Sequence, residues 1–199
     1  MRKPYTMPTA AEAAQNLIAE CIGYTATTFA QQQAFSLSEK NDTHELRDAL
    51  LATLSAIVGP RWVKSRAPEL VAYDADGLPG YRALPTLAVF PGTRDEVVAV
   101  VRALATAGVS FVPRGAGTGL SGGALADDIV LLGLNRLTQI LHVDPVNRIA
   151  VVEPGVVNAK LSRAVAKHGL QYAPDPSSQS VCTIGGNVAE NSGGLRGLK

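Results

Sequence analysis

The run Pro113-Arg114-Gly115-Ala116-Gly117-Thr118-Gly119-Leu120-Ser121-Gly122-Gly123 holds five of the chain's 19 glycines, and chemistry concentrates there. Successive backbone N–H groups in so glycine-rich a turn form a nest for phosphate-type oxygens. With no Cβ in the way, the backbone approaches its ligand closely. Arg114 can add a charge, and the Thr118 and Ser121 hydroxyls can add donors. The bland alternative is a flexible surface turn. Gly117 to Gly122 also spells G-x-G-x-x-G, but that dinucleotide fingerprint needs a helix starting at the glycines. Here Gly123-Ala124-Leu125-Ala126-Asp127-Asp128 runs into the β-like Ile129-Val130-Leu131-Leu132. No Lys-Ser/Thr pair follows the last glycine either, which excludes the G-x-x-x-x-G-K-[ST] loop. A loop of this kind grips its ligand chiefly with backbone, without a helix dipole.

About 60 residues on, a second segment combines rigid prolines, small hydroxyl residues, paired glycines and two asparagines. It reads Ala173-Pro174-Asp175-Pro176-Ser177-Ser178-Gln179-Ser180-Val181-Cys182-Thr183-Ile184-Gly185-Gly186-Asn187-Val188-Ala189-Glu190-Asn191-Ser192-Gly193-Gly194. Rigid and small together suit a wall that lies against a flat ring and hydrogen-bonds to its edges. A long proline-rich connection is the structural alternative. Two glycine windows point to two loops converging on one ligand.

Other chemistry is sparse. His44, His142 and His168 show no metal-ligand spacing with each other or with Cys21 and Cys182. The two cysteines lie too far apart in sequence to suggest a disulfide framework. Net charge is +1, so no basic surface argues for nucleic acid or a polybasic membrane patch. No stretch approaches the roughly 18 apolar residues of a membrane span. Glu12, Gln15, Asn16 and Glu20 stand where a signal peptide needs an apolar run. The expected location is the cytoplasm.

The elements that position the loops follow from periodicity. Residues 9–22 and 42–58 have helical apolar spacing, the second opening at Asp42 as N-cap with Glu45 at N3 and ending at Gly59-Pro60. The polar stretch from Thr25 to Lys40 between them reads as a linker. Residues 1–60 form a helical extension without chemistry, and 61–199 the functional domain. Leu87 to Phe90 is a short strand, and Thr93-Arg94-Asp95-Glu96 is a capping box for a helix through Ala107, with Gly108 at C′. Val97, Val100, Val101 and Leu104 form its buried face. Strands are expected at 109–112, running into the first loop, at 129–134, and at 149–153 after the turn at 144–148. Asn158 caps a helix ending at His168-Gly169. Strand pairs interrupt the helix–strand alternation, so the class is α+β rather than a regular doubly wound sheet.

Taken together, P-R-G-A-G-T-G-L-S-G-G, V-E-P-G-V and A-P-D-P-S-S-Q-S-V-C-T-I-G-G-N-V-A-E-N-S-G-G resemble the FAD-binding domain of the vanillyl-alcohol-oxidase/p-cresol-methylhydroxylase type. The nearest members are the glycolate oxidase D-subunit and the D-lactate and D-2-hydroxyglutarate dehydrogenases. The resemblance covers about Pro85 to Lys199, more loosely from Arg61. It implies that Arg114, Gly115, Ala116, Gly117, Thr118, Gly119, Ser121 and Gly122 wrap the FAD pyrophosphate. It implies that Pro174, Asp175, Cys182, Thr183, Gly185, Gly186, Asn187, Asn191 and Gly193 line the isoalloxazine and ribityl region, with Cys182 a small packing residue. Some relatives attach FAD through a loop histidine; Thr118 stands at that position, which implies non-covalent FAD.

Relatives continue past the position of Lys199 into the rest of the flavin domain and a cap bearing the substrate and proton-abstracting residues. The expectation is therefore an N-terminal fragment with no catalytic base, inactive alone. Its parent would oxidise a 2-hydroxy acid such as glycolate or D-lactate, and other subunits of a glycolate-oxidase-like complex are possible partners, holding it at the inner face of the membrane. A non-catalytic FAD-binding remnant needing a partner chain is the alternative, and a NAD-binding protein a distant third.

Overall fold

The computed structural model describes residues 40–195. The expected helix at 9–22, the linker up to residue 39 and Cys21 lie outside the described residues.

Helix α1 (Lys40–Val58) is already under way at Asp42, so its start precedes the cap expected there. A turn of 3-10 helix, Pro60–Trp62, leads into the short strand β1 (Val63–Lys64). A short helix α2 (Ala67–Leu70) and a second 3-10 turn, Val71–Tyr73, precede a long irregular stretch. Strand β2 (Leu87–Val89) follows, then helix α3 (Arg94–Thr106), β3 (Phe111–Arg114) and β4 (Val130–Gly133).

These strands form one sheet in the order β1-β2-β4-β3, with β1 antiparallel to β2, and β2 and β3 both parallel to β4. Its sides follow the period-two rule. Leu87, Val89, Val130 and Leu132 face a core shared with Leu50, Leu54 and Val58 of α1 and with Val100, Val101 and Leu104 of α3. Ala88, Phe90 and Leu131 meet Leu70 and Ala126 in a second core. Helix α1 is thus built into the first core.

At the start of α3, the Thr93 hydroxyl accepts from the Glu96 N–H at 3.1 Å. The returning Glu96 carboxylate takes the Gly92 N–H at 2.6 Å, one residue earlier than the N-cap donor of a standard capping box. Strand β3 begins at Phe111, two residues later than expected, because Val109 N–H still bonds back to Leu104 O at 2.9 Å.

The second layer opens with a strand the periodicity did not reveal, β5 (Ile140–Asp144), paired antiparallel with β6 (Ile149–Val152). The expected turn joins them, Asp144 accepting from the Val146 and Asn147 N–H groups. Helix α4 (Asn158–Val165) continues as a 3-10 turn, Ala166–His168, and stops at the left-handed Gly169. Asn158 is not its cap. Val157 holds that position, and the buried Asn158 amide donates to Pro174 O at 2.7 Å, tying the helix to the second loop. The second loop contains a short helix that its glycines did not suggest, α5 (Ile184–Ala189), capped by Thr183. Ile184 joins Val156, Leu161 and Val165 in the third core.

Among the described residues, no helix is long and apolar enough to cross a membrane.

Candidate functional site

The topology explains the first loop's position. Strand β4 lies between β2 and β3, so the chain leaving β3 must travel around to re-enter the sheet parallel to it. Residues 115–129 make that journey without a helix, closing with a turn from Leu125 N–H to Gly122 O at 3.2 Å. The helix demanded by the G-x-G-x-x-G reading is absent there.

The second loop meets the first at Thr183 and again at Glu190. A Cβ built on Gly115 would strike the Thr183 hydroxyl. Thr183 is itself fixed, pairing with Val157 in an isolated antiparallel bridge and accepting from Gly186 N–H at 3.3 Å. Gly185 closes the other side, donating to Pro154 O at 2.8 Å and lying so close that a Cβ would come within 2.8 Å of the Pro154 ring.

Between the loops lies a cavity of about 550 Å³. From the first loop it takes Gly115, Ala116, Gly117, Thr118 and Gly119; from the second, Cys182, Thr183, Gly186 and Asn187. The remaining predicted residues stand behind it. Ser121 and Gly122 lie beyond the bend, with Gly122 against Leu78. Pro174 receives the Asn158 amide, and Asp175 packs on Gly194. Asn191, at positive φ, and Gly193 follow α5 outside the cavity wall.

Arg114 behaves differently from the sequence expectation. Its guanidinium donates to Ala75 O at 2.7 Å, and to Tyr73 O and Ala124 O at 3.3 Å each. Half-buried, it has its pKa lowered by burial, an effect opposed first by the charge of Asp76. Its charge goes into backbone, and Glu190 is the one charged side chain among the described residues lining the cavity. That residue is exposed, yet its carboxylate leans on the first loop, 3.0 Å from a Cβ built on Gly119 and 3.3 Å from one on Gly123.

The donor set fits an acceptor-rich ligand. Asn187 is only 4% exposed, and its Nδ2 has no hydrogen-bond partner in good geometry. Burial raises the Tyr172 phenol pKa, and a hydrogen bond from the Asn187 side chain partly offsets the rise, so the amide leans toward that phenol without good alignment. A buried donor held this loosely gains from a well-placed ligand acceptor. Cys182 is buried, with a free thiol. No histidine lines the cavity, and among the described residues no cluster could hold a metal.

Comparison with known proteins agrees with this geometry. A family profile described as an FAD binding domain matches residues 85–199, from just before β2 to the end of the chain. The chain belongs to the FAD-binding domain family. It is 52% identical over 132 residues to the glycolate oxidase subunit GlcD of Escherichia coli (strain K12), covering 66% of this chain and 26% of that protein. It is 36% identical to a D-2-hydroxyglutarate dehydrogenase of Stutzerimonas stutzeri (strain A1501), covering 76% of this chain and 33% of the relative. This FAD-binding domain is therefore related to the 2-hydroxy-acid dehydrogenases and spans about a quarter to a third of those relatives' length. The fold is the p-cresol-methylhydroxylase type: the solved structure of p-cresol methylhydroxylase with substrate bound superposes with a TM-score of 0.64 at 22% identity, over 72% of this chain and 28% of that one.

Residues 73–78 were missed in the sequence. Tyr73, Ala75, Gly77 and Leu78 all touch the first loop, yet Tyr73-Asp74-Ala75-Asp76-Gly77 carries no phosphate motif. The Asp76-Gly77 pair was the available signal, but it reads as an ordinary turn.

Proposed function

We propose that this chain binds the FAD of an oxidoreductase acting on a 2-hydroxy acid. The observation that carries the reading is the meeting of two glycine loops around one cavity, with backbone on one wall and the buried Asn187 amide on the other. Residues 61–199 are the binding domain in this reading, with α1 packed on its sheet.

The N–H groups of residues 117–120 hold the diphosphate. Thr183 and Gly115 keep the two loops in register, and Gly186, Asn187 and Cys182 face the ring system, Asn187 donating to an acceptor on its edge. The chemistry FAD supplies when bound is acceptance of a hydride from the hydroxy acid. The chain's own residues bind, orient and shield; the lining holds no histidine, and Glu190 is its one charged side chain among the described residues. GlcD is a glycolate oxidase subunit by name, which supports glycolate or a similar 2-hydroxy acid as substrate and other subunits as partners; the location in this reading is the cytoplasm.

FAD titrated into the purified chain should quench its fluorescence saturably, with ADP competing, while glycolate and D-lactate produce no turnover. Acid precipitation should release all the flavin, since Thr118 offers no site of attachment. Failure of both FAD and ADP to bind at millimolar concentration would refute the cofactor assignment to this chain.

A further inference from the structure

We propose that residues 73–78 are a third element of the FAD site, and that Arg114 and Gly77 are positioning residues that aim the diphosphate loop without touching the ligand. The inference rests on the FAD reading above.

Arg114 sits at the entrance of the loop and Ala124 near its exit. One planar guanidinium reaches Ala124 O on one side and Tyr73 O and Ala75 O on the other. Both ends of the loop are therefore pinned to the same outside segment. A lysine ammonium is a point charge on a flexible stem and does not reproduce a fork across three carbonyls. Asp76 supplies the counter-charge: one carboxylate oxygen accepts from Leu78 N–H at 2.8 Å, and the other is buried without a partner.

Gly77 acts at the middle of the loop. A Cβ built on it would lie 2.6 Å from Gly119 O and 2.7 Å from Thr118 O, so the two backbones touch directly. The peptide bonds are trans, and in a trans peptide the C=O and the following N–H point in opposite directions. With the Thr118 and Gly119 carbonyls turned to Gly77, the N–H groups of Gly119 and Leu120 turn away from it. Both residues line the cavity on that other side. Contact with Gly77 thus sets the direction of two donors of the anion nest. Leu78 extends the contact to Gly122, its methyl 3.4 Å from a built Cβ.

The test uses Gly77→Ala, Arg114→Lys and Arg114→Met in the full chain, with thermal unfolding as a check of folding. Gly77→Ala should weaken ADP and FAD binding at least tenfold and shift the amide NMR resonances of Gly119 and Leu120, while α1 and α3 keep their exchange protection. Arg114→Lys should fail to restore the affinity lost in Arg114→Met, and the salt dependence of ADP binding should be the same in both variants as in the parent chain. Wild-type affinity in Gly77→Ala, rescue by Arg114→Lys, or a salt dependence lost with Arg114 overturns the proposal. Should the parent chain bind neither ADP nor FAD, the cofactor reading fails by itself. The amide resonances of Gly119 and Leu120 then decide the positioning claim, and unchanged shifts in Gly77→Ala refute it.

Discussion

Gly117→Ala probes the loop's backbone most directly. Gly117 lies at φ 68°, where an alanine costs about 1–2 kcal/mol. Its new Cβ would also lie 2.6 Å from Arg114 Cζ and 2.8 Å from Nε. The guanidinium must then shift, and losing one of its charged hydrogen bonds costs about 1.5–3 kcal/mol. A stiffer unfolded chain returns about 0.4–1 kcal/mol. The net loss is roughly 2–4 kcal/mol, or roughly 5–15 °C in Tm for a domain of this size. Gly119→Ala is the matched control. Its φ is ordinary, and its Cβ meets the movable end of Glu190 at 3.0 Å, so stability should change by less than about 0.5 kcal/mol. Urea denaturation of both variants measures the difference. Equal midpoints would refute the account of Gly117 as a residue fixed by backbone conformation and by Arg114.

Gly119→Val should leave the chain folded but lower FAD affinity at least tenfold, because a branched side chain projects beside the Glu190 carboxylate at the cavity; fluorescence titration checks it. Leu54→Ala, fully buried between α1 and the sheet, should cost about 2–5 kcal/mol in urea denaturation, and a loss under 1 kcal/mol would mean α1 is not part of that core. Asp144 has its pKa lowered, chiefly by the Asn147 side-chain hydrogen bond. A lowered folded value means that its contribution is complete above the ordinary aspartate pKa of about 4 and fades as pH falls below it. Amide exchange at Val146 and Asn147 should therefore accelerate, relative to the intrinsic rate, below about pH 4, and Asp144→Asn should shrink that pH dependence.

The elements legible in the sequence were those with a local cause. Helix α3 showed its cap, its buried stripe and its Gly108 stop; β2 and β4 showed as short apolar runs closed by turn residues. Strand β5 was hidden because Leu141 and His142 are both exposed, which breaks the alternation that marks a half-buried strand. Helix α5 was hidden because Gly185 and Gly186 are poor helix formers; it forms where the Thr183 cap and the Pro154 contact hold it. The two loops were legible as a pair through composition. The partner of Arg114 was not, since nothing local distinguishes an arginine that meets a phosphate from one that meets three carbonyls about 40 residues earlier and ten later.

That distinction decides how the cavity can hold an anion. With Arg114 turned into the backbone, Glu190 gives the lining a negative charge, and the Thr183 hydroxyl accepts the Gly186 N–H of α5 while keeping its own O–H to donate. Attraction for a diphosphate then falls to uncharged donors, chiefly the N–H dipoles of the first loop. A charge acts over several ångströms and tolerates misplacement, while a dipole's pull falls off faster and needs contact at hydrogen-bond distance and angle. A site built on dipoles therefore depends on the course of its backbone more than on its net charge. The structure puts Arg114, the Gly77 contact and the Asp76 carboxylate into fixing that course, which is why residues 73–78 bear on binding although none of them lines the cavity.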